Sequence, residues 1–422
     1  MQKKVIALAI AGLVSGAAFA QTNVTVYGVA DVDYTYSKSD SNAGKVKFSG
    51  IRDGVDNGLN GSRVGFKGEE ALGNGLKAIF LTEIRVQQAT GDQTQPMRQA
   101  FVGLNSASVG TFTLGRQYSA AGDVYANNNS NGVVSVMPVN VLQGQGGSTI
   151  VSAGGNSRQS NAVKYVSPTW SGFTGRISYA FSDNMNTTTS AANPTVLSDA
   201  KYSDNGRWAL SADYANGPFS ADVILAKTQA AYLTGTNAYY NSALGGSNTG
   251  GTPTAAAQVD PNQGKDINEW YIGAGWDFKV VKIVGGYQEA KNKNGMYTPT
   301  SSATVGGPDK SKMWQVGLSA PIGNGSLQAE YADLGFSGSN SGLNGHEKGY
   351  GLGYVYNMSK RTSLYGFVSS IKYDSDVPAA ATGLTTATNG GVNAPFVGSA
   401  SVGTAVAGER QSNLSVGIRH FF

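Results

Sequence analysis

The chain is 422 residues long and nearly balanced in charge, with 31 Lys and Arg against 27 Asp and Glu and a formal net of +4. That balance does not fit a nucleic-acid binder, and the absence of cysteine excludes a disulfide framework and any thiolate chemistry. With 58 Gly, 21 Tyr, 12 Pro and 14% charged residues, the composition suits many strands, tight turns and aromatic belts, and a mean hydropathy of −0.21 is compatible with a barrel that is apolar on one face only.

The first element is the only sustained apolar run, Val5 to Ala20. Lys3 and Lys4 precede it, Val5 to Val14 form a short apolar core, and Ala18-Phe19-Ala20 forms a small-residue cleavage site. These are the parts of a secretory signal peptide over 1–20, too short to span a membrane as a helix. The mature chain is expected to start at Gln21, with 402 residues and a formal charge of +2.

From there, alternation of apolar and polar residues predicts sixteen strands near 23–37, 60–70, 75–88, 96–106, 109–118, 157–168, 172–183, 206–215, 217–229, 266–277, 279–291, 310–320, 324–336, 346–357, 361–374 and 409–422. Trp314, Val316 and Leu318 alternate with Gln315, Gly317 and Ser319, and Phe173, Ile177, Tyr179 and Phe181 with Thr174, Arg176, Ser178 and Ala180. A soluble β-sandwich would alternate in the same way. The connections separate the two. Leu72-Gly73-Asn74-Gly75, Ala215-Asn216-Gly217 and Asn357-Met358-Ser359-Lys360 are tight turns, whereas 38–59, 119–156, 184–205, 230–265, 292–309 and 375–408 are long and polar. Short turns on one side and long loops on the other predict an all-β, 16-stranded antiparallel transmembrane barrel over 21–422, with both termini in the periplasm. In the last strand Leu414, Val416, Ile418, His420 and Phe422 share the lipid face. An alternating strand that ends on an aromatic resembles the assembly signal of outer-membrane barrels, which puts the protein in the bacterial outer membrane.

Several stretches, in order along the chain, resemble the general porins of Gram-negative bacteria, in the β-proteobacterial branch. They are Val24-Thr25-Val26-Tyr27-Gly28-Val29; Gly61-Ser62-Arg63-Val64-Gly65-Phe66-Lys67-Gly68-Glu69-Glu70 with Gly75 to Phe80; Arg98 to Leu104 with Thr113 to Tyr118; Tyr165-Val166-Ser167-Pro168 with Gly172-Phe173; Tyr356 to Thr362; and Val416 to Phe422. The resemblance implies a trimeric diffusion channel for small hydrophilic solutes and ions, narrowed by an inward-folded third outer loop. That loop follows the fifth strand, from after Tyr118 to about Asn156. The implied partners are two further copies of the chain, outer-membrane lipid and lipopolysaccharide, the barrel-assembly machinery, which would read Phe422, and the permeating solutes and anions.

Parity along the strands assigns charges to the bore. With Val64 and Phe66 outward, Arg63 and Lys67 point in; with Phe101 outward, Arg98 points in; with Val163 and Tyr165 outward, Arg158 and Lys164 point in. The resemblance maps the family's basic constriction cluster onto Arg63, Arg98 and Arg158. Enteric relatives oppose that cluster with two loop carboxylates, but the corresponding positions here fall near Asn129 and Val133, and Asp123 is the only loop carboxylate. A net-positive, anion-preferring eyelet is therefore expected. Arg116 shares its face with Phe112 and Leu114 and should point outward, either bent away at the rim or meeting an acid such as Asp92 of a neighbouring subunit.

Enzyme chemistry has little foothold. The two histidines, His346 and His420, are not at metal-ligand spacing, and no G-x-S-x-G, G-x-G-x-x-G or P-loop is present. Glu69 and Glu70 lie on opposite faces of a strand and cannot act as a pair. No cofactor is expected. The competing reading is a non-transport barrel that acts as an adhesin or receptor through its long loops.

Overall fold

The structure, a computed structural model, describes residues 23–41, 44–54, 58–91, 97–128, 138, 142, 158–181, 206–228, 267–292, 310–337, 345–373 and 410–422. The signal segment 1–20 lies outside them. The strands are β1 (Asn23–Ser41), β2 (Gly44–Asp53), β3 (Arg63–Gly73), β4 (Leu76–Arg85), β5 (Gln99–Ser106), β6 (Gly110–Tyr118), β7 (Arg158–Val166), β8 (Phe173–Ala180), β9 (Arg207–Asn216), β10 (Phe219–Thr228), β11 (Ile267–Asp277), β12 (Lys282–Asn292), β13 (Lys310–Ile322), β14 (Gly325–Ser337), β15 (Gly345–Asn357), β16 (Thr362–Tyr373) and β17 (Arg410–Phe421). A helix, α1 (Ala120–Asn128), follows β6.

Apart from β2 and β3, each strand pairs antiparallel with its sequence neighbour, and β1 closes the sheet on β17 in register from Val29↔Phe421 to Asp40↔Arg410. The seventeen strands fill sixteen positions, because β2 and β3 share one. The upper half of β1 pairs with β2 and its lower half with β3. The sixteen expected strands are thus present, with ends displaced by no more than a few residues apart from the longer β1. The difference lies at 38–59, read above as an outer loop. Here β1 runs on to Ser41 and β2 returns, with Lys38↔Lys47 and Tyr36↔Ser49 in register. The alternation persists there, but polar residues carry it, so hydrophobicity alone does not reveal it.

The two faces are chemically distinct. On β10, Val223 and Leu225 point outward while Ile224 and Ala226 are buried on the bore side; on β15, Tyr350 and Leu352 point outward against bore-side Glu347 and Gly351. The outward row of β17, Leu414, Val416 and Ile418, faces lipid as expected. The β3–β4 turn needs left-handed backbone at Gly73, Asn74 and Gly75 (φ 91°, 50° and 75°), which is why glycine and asparagine occupy it.

Candidate functional site

The site is built on the upper ends of β3 to β7, around a residue that the parity count passed over. Glu83 on β4 is 5% exposed and stands in register between Gly65 and Gln99 on the bore side. Its Oε1 lies 3.2 Å from Arg63 Nε and its Oε2 3.7 Å from Arg98 Nε. Tyr27 Oη donates to Oε1 at 2.9 Å and Gln99 Nε2 to Oε2 at 3.1 Å. Tyr118 joins the next two members: Arg98 Nη2 donates to its hydroxyl at 3.2 Å and Arg158 Nη1 at 3.4 Å, with the Arg158 guanidinium 5.4 Å from its ring centroid. Arg63, Arg98 and Arg158 are therefore linked through Glu83 and Tyr118, and Arg85, the register partner of Arg63, adds a fourth guanidinium on the same face. Three or four guanidiniums around one carboxylate leave a surplus of positive charge that cannot titrate away near neutral pH.

Two of the parity arguments need correction. Phe101 is in register with Leu81 and Gly115 on the bore face, and the outward residues of β5 are Val102 and Leu104. Strict alternation would then turn Arg98 toward lipid. It instead reaches Glu83 because the ladder is irregular where β5 begins: Arg98 N donates to Glu83 O, although Gln99 is the register partner of Glu83. Similarly, the β6–β7 register shifts between Gly115 and Gln117, with Asn161 at φ 52°, so counting from Lys164 does not carry through to Arg158. Arg158 joins the cluster through Tyr118, its partner beyond the shift.

The remaining predicted residues sit around this cluster. Lys164 points into the bore and binds Asp123 Oδ2 at 2.6 Å and Tyr118 O at 3.0 Å. Asp123 thus ties the root of the loop to β7, so its charge is matched by the lysine's. Lys67 lies lower, its Nζ 5.3 Å from the centroid of the Tyr27 ring. Arg116 lies on the outward face as expected, donating to Met97 O at 2.6 Å and Ser160 Oγ at 2.7 Å, while Asp92 lies outside the described residues.

Helix α1 begins where Ser119 caps it, accepting from Gly122 N at 3.0 Å through its hydroxyl. Its apolar residues Ala120, Ala121 and Val124 are buried with Ala209, Ile224, Ala226 and Tyr271 on β9 to β11, all on the bore-side face. Ala120 is held at both ends, its N donating to Ser178 Oγ and its O accepting from Ser211 Oγ. Further along, Pro138 lies so close to Gly349 that a Cβ there would collide with its ring carbons. Described parts of the third outer loop therefore touch the bore face at two separated places. The wall also carries acids: Asp222, which the alternation of its strand already set opposite the apolar row, and Glu269, Glu330 and Glu347, which were not anticipated, are buried on the bore face of β10, β11, β14 and β15, and Asp213 pairs with Arg176. The alternation of these strands could have placed them.

At the seam, Gly28 N donates to Phe422 O at 3.0 Å and Phe422 N to Gly28 O at 3.2 Å. The Phe422 ring fills the outward notch above Gly28, where any Cβ would collide with it.

Comparisons with known proteins bear on the family and the fold. A family model described as Gram-negative porin matches residues 7–376. An outer membrane porin protein of Bordetella pertussis is 31% identical over 88% of this chain and 94% of its own length. Outer membrane porin protein 32 of Delftia acidovorans is 30% identical over the full length of both chains. Among solved structures, the anion-selective porin from Comamonas acidovorans superposes with a TM-score of 0.66 at 24% identity, covering 95% of this chain and all of that one. The expectations of a sixteen-stranded barrel and of a porin resemblance both hold, and this chain belongs to the Gram-negative porin family, outer-membrane barrels that act as diffusion channels.

Proposed function

We propose that this channel prefers anions, and that the preference arises where Arg63, Arg98 and Arg158 gather around Glu83 and Tyr118. One observation carries the reading: Arg63 and Arg98 share the one carboxylate of Glu83 and Arg158 joins them through the Tyr118 hydroxyl, so the cluster holds a fixed positive field in a confined aqueous passage. The third outer loop supports it by narrowing the passage, since α1 takes up bore space along β9 to β11 and its one carboxylate, Asp123, is matched by Lys164. The solved neighbour from Comamonas acidovorans is an anion-selective porin; its likeness supports the fold, and the sign of selectivity here rests on this chain's own charges.

In the same reading the protein is exported with cleavage after Ala20, assembles as a homotrimer in lipid and lipopolysaccharide through the barrel-assembly machinery, and passes small hydrophilic solutes according to size. Lys67 and Lys164 extend the positive lining below and beside the cluster. Charge reversal tests the assignment: Arg98→Glu or Arg158→Glu should move the reversal potential in a potassium chloride gradient toward cation preference. Unchanged potentials in both variants would remove these residues from the selectivity-determining section. Liposome swelling that depends only on the size of uncharged solutes would support the channel, and no flux would favour the adhesive-barrel alternative.

A further inference from the structure

The third loop is not the only segment folded against the bore wall. Between β2 and β3, residues 58–62 turn inward, and Leu59 is buried with Val355, Tyr365 and Phe367. Those three alternate with outward Tyr356, Leu364 and Val368, so the contact is on the bore face, six strands round the barrel from β10. One side chain organises the turn. Asp31, fully buried on β1, accepts at Oδ2 from Leu59 N (3.1 Å) and Asn60 N (2.7 Å), and at Oδ1 from Tyr365 Oη (2.6 Å). Its backbone N donates to Ser62 Oγ and its backbone O accepts from that hydroxyl, both at 3.0 Å. Arg419 adds a bond from Nη1 to Asn60 Oδ1 at 2.8 Å. The turn is tight enough to require glycine at two points. A Cβ at Gly54 would collide with Asn60 O and with Asp31, and one at Gly58 would collide with Gly54 and the Tyr365 hydroxyl.

This clamp ends on a charge that matters. The residue after Ser62 is Arg63, whose Nη1 donates back to Gly61 O at 3.3 Å while its Nε faces Glu83 at 3.2 Å. We propose that Asp31 is a positioning residue of the channel: by clamping 58–62 to the wall formed by β15, β16 and β1, it fixes Arg63 against Glu83 and keeps the turn out of the permeation path. Part of this proposal rests on the reading of Arg63 as a selectivity charge, but the clamp itself does not. A carboxylate suits the task because it accepts two backbone N–H bonds on one oxygen and a phenol on the other, which no neutral side chain of its size can do.

The cysteine-free chain makes the test direct. Leu59→Cys in the native background should react slowly with a membrane-impermeant thiol reagent. Adding Asp31→Ala should raise the rate by about tenfold or more, as expected when a local opening becomes easier. Asp31→Asn, which keeps an acceptor for the two N–H groups, should fall between. In the same Asp31→Ala channel the anion preference should fall by about twofold as Arg63 loses its fixed place, although deleting a negative charge would by itself move selectivity the other way. Tyr365→Phe, which removes only the phenol bond, gives a milder form of both effects if Asp31→Ala does not assemble. Equal labelling rates with and without the clamp would overturn the proposal. Faster labelling with unchanged or increased anion preference would overturn its link to Arg63. A native channel without anion preference would instead overturn the reading of the arginine cluster, and the labelling rates would still decide the clamp.

Discussion

Glu83→Gln gives the sharpest quantitative expectation. The substitution keeps the side chain's shape and one of the two acceptor oxygens used by Tyr27 and Gln99, and it removes the only carboxylate among the described residues bound to Arg63 and Arg98. The cluster of Arg63, Arg98, Arg158 and Glu83 then changes from two net positive charges to three. A unit charge acting on an ion about 8 Å away through water contributes about 0.5 kcal/mol, and a Debye length of about 10 Å at 0.1 M salt reduces this to about 0.2 kcal/mol. Anion occupancy rises and cation occupancy falls by about 1.5-fold each, so the anion-to-cation permeability ratio should increase by about twofold. At 1 M salt, where the Debye length is about 3 Å, the change should shrink to about 1.1-fold. Planar-bilayer reversal potentials at the two ionic strengths measure both values. An unchanged or lower ratio at 0.1 M would refute the argument that Glu83 partly neutralises a selectivity-determining cluster.

Deleting residues within 124–150 should raise single-channel conductance while the barrel still assembles, because α1 covers the bore wall without joining the ladder; equal or lower conductance would place this loop outside the passage. Removing Phe422, or replacing Gly28 by Val so that the ring loses its notch, should lower the yield of assembled barrel in the outer membrane, read as heat-modifiable protein in membrane fractions. The trimer should resist SDS until boiled, and Arg116→Glu should lower its dissociation temperature if this outward guanidinium serves a subunit contact. An unchanged temperature would assign Arg116 to its own rim, where Met97 O and Ser160 Oγ already satisfy it.

Most of the barrel was legible because a wall between lipid and water imposes period-two patterning on every strand, and the turn lengths distinguish its two ends. Where both faces are polar the signal disappears. Residues 38–53 continue the alternation with Lys38, Lys47 and Ser49 outward, and hydrophobicity alone reads them as loop. The site was legible as a set and not in its geometry. Arg63, Arg98 and Arg158 do converge, but two irregularities, at Arg98–Gln99 and between Gly115 and Gln117, reset the parity on which their directions were argued. Glu83 and Asp31 escaped notice because single acids among alternating polar residues look like any wet face; their weight comes from partners far away in the chain, such as Tyr365 for Asp31. Ser119, Ala120, Ala121 and Val124 held a short-helix signal, a cap followed by small apolar residues, that the polar composition of the rest of the loop obscured.

The sign of the channel's selectivity is read by one measurement. The native channel, inserted in a planar bilayer between 0.1 M and 1 M potassium chloride, should show a reversal potential of the polarity set by chloride permeating faster than potassium, with the bias largest when the dilute side holds the least salt. A potential of the opposite polarity, with potassium favoured, would contradict the assignment of Arg63, Arg98 and Arg158 to the section that selects ions.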